Sequence, residues 1–112
     1  PEQELLHGLH AGQAETSLML QMAPDLVGSA RPVDGRPAPG SASEPPEGWS
    51  LEGAAPCAWL TDDLSATGVI GDARQASDDL GRRLEERLIL HWQQRFQTLL
   101  ASQWPPTQSL LS

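Results

Sequence analysis

The chain has no lysine, a single cysteine and no long apolar run. One cysteine, Cys57, excludes an internal disulfide and agrees with a reducing, cytoplasmic setting. No stretch approaches the roughly 20 apolar residues of a membrane span, and the first residues lack the basic-then-apolar pattern of a secretory leader. No membrane partner is expected. Positive charge is also scarce, with seven arginines against 15 acidic residues and a net charge of -8. Phosphate binding needs a basic footprint, so a nucleic-acid partner is excluded as well. Nothing in the sequence explains why every basic residue is arginine.

What is present fits one small domain at most. Residues 28–56 hold five of the ten glycines and six of the ten prolines, mixed with Ser, Ala and Glu and without apolar periodicity. They read as loop. A loop longer than roughly 12–15 residues is uncommon in a compact domain, so this one is expected to drape over another part of the protein. The remaining apolar residues form two helical patterns and one short strand-like run. That is too little surface to offset the ordering entropy of the whole chain, and poor independent stability is expected. The chain opens on Pro1 rather than Met and reads as a piece of a longer protein.

The order of segments follows from periodicity and punctuation. Residues 1–27 begin with a polar stretch, a short strand or turn carrying Leu5, Leu6 and Leu9, then pass Gly12 into a helix whose stripe is Ala14, Leu18, Met19 and Met22. Pro24 ends that helix. Within residues 57–71, the run Cys57-Ala58-Trp59-Leu60 is the best strand candidate, and Gly68 and Gly71 mark a sharp chain reversal. Residues 72–104 read as a long amphipathic helix, with Leu80, Leu84, Leu88, Trp92 and Phe96 spaced by four and Leu99 and Leu100 continuing the stripe. Asp72 with Gln75 resembles a capping box, and Ser77 is a second possible cap. Arg82 and Glu86, four apart, are placed to pair, and His91 lies beside the stripe as a packing or interface residue. Residues 105–112 form a tail.

Chemistry concentrates in His10-Ala11-Gly12-Gln13-Ala14-Glu15-Thr16-Ser17. Imidazole titrates near neutrality, and a carboxylate within reach fixes its tautomer, so His10 and Glu15 read as half of an active site. The residues alone also allow a capped helix start with an ordinary histidine. Glu15 has several possible tasks: accepting from His10, from a backbone amide or from a substrate N–H, or simply complementing the helix dipole. Thr16 and Ser17 suit capping or bracing of the turn. His7, His10 and Glu15 could supply three metal ligands, a less favoured arrangement. Trp49 and Trp59 suit loop anchoring or packing more than substrate stacking.

The run at residues 10–17 resembles the His-Ala/Gly-Gly-x-x-Glu-Thr-Ser segment of the creatininase family, and Leu-Met-Leu and Pro24-Asp25-Leu26-Val27 extend the likeness. A second stretch, Gly68-Val69-Ile70-Gly71-Asp72, resembles the Gly-Val-x-Gly-Asp-Pro segment before that family's last helix, with Ala73 in place of Pro. The resemblance implies the C-terminal part of a three-layer α/β/α sandwich on a mainly parallel sheet. It implies a metal-dependent amidohydrolase that acts on a small-molecule amide rather than a protein peptide bond. His10 matches the catalytic histidine, a general acid and base, and Glu15 matches the motif glutamate. Zinc or manganese is implied as cofactor, with ligands that match no position in this chain. The implied partners are the missing N-terminal part of the domain and further copies of the chain, a hexamer in the family. The alternative is a non-enzymatic remnant or assembly subunit that keeps only the C-terminal helix and loop.

Overall fold

The computed structural model describes residues 8–34 and 44–105. Expectations for His7, for the start of the chain and for residues 106–112 lie outside the described residues. Among the described residues six elements follow in order: α1 (Gln13–Met22), a 3₁₀ turn (Pro24–Leu26), β1 (Val33–Asp34), α2 (Thr61–Leu64), β2 (Gly71–Asp72) and α3 (Asp78–Ala101).

Helix α1 ends where Pro24 requires it to, and the Ala23 N–H closes it on the Met19 carbonyl at 2.8 Å. Its buried face is not the expected apolar stripe. Ser17 is fully buried whereas Met19 and Met22 are exposed. The reason lies in α3, whose Gly81 sits against the α1 backbone: a Cβ there would collide with the Ser17 carbonyl oxygen and lie 2.9 Å from Gln21 Cβ. The two helices approach so closely that a serine and a glycine, not large apolar residues, fill the contact.

Helix α3 starts five residues later than the capping-box reading at Asp72 requires. The Asp72 carboxylate is drawn to Arg74, accepting its backbone N–H at 3.0 Å and its guanidinium at 3.0 and 2.7 Å. Ser77 is the cap, its Oγ accepting the Leu80 N–H at 3.2 Å, and Asp78 and Asp79 fill the first turn. Arg82 turns to Asp79 at 2.5 Å rather than to Glu86, and Arg83 meets the same carboxylate at 2.9 Å. The helix ends at Ala101, short of the expected residue 104.

Residues 57–60 do not form the expected strand. The Cys57 N–H donates to the Ser50 carbonyl at 2.8 Å and the Trp59 indole N–H to the Leu51 carbonyl at 3.0 Å, so this segment closes the preceding loop instead. The strand lies further on, at β2. Val33 pairs with Asp72 and Asp34 with Gly71, in antiparallel register. No parallel sheet layer occurs among the described residues, and this two-residue ladder is their one sheet.

The small core is Val69, Ile70 and Ala73. Gly68 and Gly71, at φ of 79° and 146°, provide the reversal that brings Ile70 inward, a conformation L side chains rarely adopt. Ser65 Oγ donates to the Val69 carbonyl at 2.7 Å and pins the same turn. Beyond Glu85, every described residue of α3 is exposed. Leu88, Trp92 and Leu99 continue the helix face on which Gly81 meets α1, and Trp92 and Phe96 are each 55% exposed with rings 5.8 Å apart. The radius of gyration, 19.0 Å, exceeds the roughly 13 Å of a compact chain of this length.

Candidate active site

His10 is placed by its backbone. Its N–H donates to the Ile70 carbonyl at 3.2 Å and its carbonyl accepts the Ile70 N–H at 2.9 Å, while the Leu9 N–H also reaches the Ile70 carbonyl at 2.8 Å. This antiparallel bridge joins the two sequence motifs. Ile70 is fully buried and anchors the bridge in the core, while the His10 residue itself is exposed.

The turn after His10 has an unusual form. Ala11, not Gly12, takes the left-handed conformation at φ 50°, and Gly12 is the extended, buried N-cap of α1. A left-handed alanine costs about 1–2 kcal/mol and needs compensating contacts. They come from the helix start. Glu15 Oε2 accepts the Ala11 N–H at 2.5 Å, and Thr16 Oγ1 donates to the Ala11 carbonyl at 3.0 Å. Of the tasks open to Glu15, this geometry fills the backbone-amide one. Its position at the third residue of α1 also suits the helix dipole.

Ser17 and Gln13 carry the site's support into α3. Ser17 Oγ accepts the Ser77 N–H at 3.0 Å, and Gln13 Nε2 donates to the Gln75 carbonyl at 3.2 Å. Both link the His10 helix to the chain leaving the Gly-Val-Ile-Gly turn. Ser17 therefore braces α1 against the start of α3, while the turn it was expected to cap or brace is held by Thr16.

A cavity of about 290 Å³ opens beside the turn, lined by His10, Glu15 and Thr16 and, further along, by Met19, Leu26 and Val27. The 3₁₀ turn creates it by sending the chain back past α1, with the Val27 N–H donating to the Pro24 carbonyl at 3.1 Å. Residues 26–28 escaped the sequence reading as cavity residues. The signal was Pro24, whose chain reversal had to return Leu26 and Val27 toward the helix start. Trp59 anchors its loop, and Trp49 is exposed away from the residues that line this cavity. His91 stacks edge-on against Trp92 on α3 at 5.9 Å.

The family model for creatinine amidohydrolase, creatininase, matches residues 1–96. The chain belongs to the creatininase family. No curated protein and no solved structure matches it. Creatininase members are hydrolases of amide C–N bonds with an α/β fold, and the family is metal-dependent. Among the described residues no group of three or more His, Cys, Asp or Glu side chains could hold a metal ion. Glu15, the one carboxylate lining the cavity, is engaged by the Ala11 amide. The creatininase metal does not fit the described residues on their own. No helix among them is long and apolar enough to cross a membrane.

Proposed function

We propose that this chain is the catalytic-histidine portion of a creatininase-like amidohydrolase acting on a non-protein amide, with His10 as general acid and base. The observation that carries the reading is His10 itself, fixed at its backbone by the buried Ile70 and presenting an exposed imidazole to a cavity. A positioned imidazole takes a proton from the attacking group and returns one to the leaving nitrogen, contributing about 10²–10⁴ in rate. Glu15 acts through position. It holds the Ala11 peptide in its left-handed form, which sets the direction in which the chain leaves His10.

The divalent ion, zinc or manganese, is assigned to ligands outside the described residues. The bare stripe of α3 and the extended shape support a covering partner. We assign the stripe to the sheet of a complete three-layer sandwich, and whatever that sheet leaves uncovered to contacts between subunits of a homo-oligomer. The free Cys57 suits a cytoplasmic site of action.

Metal content and amide hydrolysis, measured on these 112 residues and on the same chain joined to upstream sequence, test the proposal. Stoichiometric metal and turnover in the longer form only is the expected result. A longer form with neither favours the non-enzymatic assembly subunit.

A further inference from the structure

The cavity beside His10 changes character along α1. At the helix start it is polar, with His10, Glu15 and Thr16; Met19, one turn beyond Glu15 on the same helix face, begins an apolar portion completed by Leu26 and Val27. Among the described residues no arginine lines it, and His10 at the polar end is its one basic side chain. Arg31, three residues past Gly28, has its guanidinium on the carbonyls of Gly28 and Ala30. Past Met19 the lining is hydrocarbon, so a group of either charge reaching that portion would lie unpaired. The volume, about 290 Å³, is at the small end of ligand pockets, enough for one ring or a short aliphatic chain. Leu26 is 78% exposed, and a group in the cavity would cover part of it.

We infer that the cavity receives the uncharged apolar substituent of a small amide whose carbonyl lies at the His10 end, and that Met19, Leu26 and Val27 determine this specificity. The inference rests on the amidohydrolase reading and adds the substrate's flanking group to it.

Acetanilide and its para-carboxylate share one amide and differ in the charge carried into the apolar portion. Titrated into the 112-residue chain, acetanilide should shift the NMR signals of the Met19, Leu26 and Val27 methyls and of the His10 ring, binding at least about tenfold tighter than the carboxylate. Leu26→Asp, at an exposed position, should remove that preference and leave the circular dichroism spectrum unchanged. Equal binding of the two probes, or shifts confined to the α3 stripe, would overturn the inference. Turnover of the two amides by the longer form, followed through release of the aromatic amine, separates this from the reaction class. Turnover without preference for acetanilide overturns the pocket assignment alone; preferential binding with no amide ever hydrolysed overturns the reaction class and leaves the cavity's apolar preference standing.

Discussion

The Ile70 amide donates to the His10 carbonyl at 2.9 Å, so the one fully buried aliphatic residue of the described chain is also the residue that holds the candidate catalytic histidine. Core packing and site geometry are therefore coupled through a single backbone pair. Ile70→Val removes one methylene from this core and should cost about 0.5–1.5 kcal/mol, read as a lower urea midpoint. The same variant should broaden the Leu9 and His10 amide signals, because their shared acceptor is the Ile70 carbonyl.

Gly81 predicts a second effect of packing. Its substitution by alanine places a methyl against the Ser17 carbonyl, and overpacking of this kind costs about 1–3 kcal/mol. Gly28→Ala is the control, since nothing lies within 4 Å of a Cβ built there and its change should stay within about 0.5 kcal/mol. Thermal unfolding of both variants distinguishes a tight helix contact from a general intolerance of alanine.

Glu15 and Thr16 hold the two ends of the Ala11 backbone and should not act independently. Glu15→Ala and Thr16→Val are each expected to cost about 1 kcal/mol, and the double variant to cost less than the sum. A double-mutant cycle in urea checks this. Strict additivity would mean that the left-handed Ala11 is maintained by other contacts.

A pH effect follows from Asp72. Hydrogen bonds from the Arg74 side chain and backbone lower its pKa to about 2 from an ordinary value of 3.8. The folded-state value is the depressed one, so the associated stability is fully present above the ordinary value and is lost as pH falls toward 2. The pair is exposed and its contribution is correspondingly small. An NMR titration of the Asp72 carboxyl should show a midpoint near 2, returning toward the ordinary carboxylate range in Arg74→Ala.

Helices α1 and α3 were legible in the sequence because their signals are local, whereas the four-residue α2 falls where the sequence showed only the end of a strand candidate. Pro24 fixed the end of α1, and Ser77, noted as a possible cap, starts α3. The strand was misplaced because Cys57-Ala58-Trp59-Leu60 has the composition of a strand but spends its hydrogen bonds on the Ser50–Leu51 loop, a partner that composition does not reveal. Glycine punctuation likewise identified the turn after His10 but not its left-handed residue. Ala11 adopts that conformation only through the Glu15 and Thr16 contacts, which a propensity for alanine does not encode. Both motifs were visible separately; their union through His10 and Ile70 is a pairing across about 60 residues and belongs to tertiary structure.

The most direct test of the account is the rate of amide hydrolysis by the longer, metal-loaded protein carrying His10→Ala. The account predicts a turnover about 10²–10⁴ lower with substrate binding largely retained, as for loss of a general acid and base. Unchanged turnover would contradict it and reduce His10 to a residue of the Ile70 bridge.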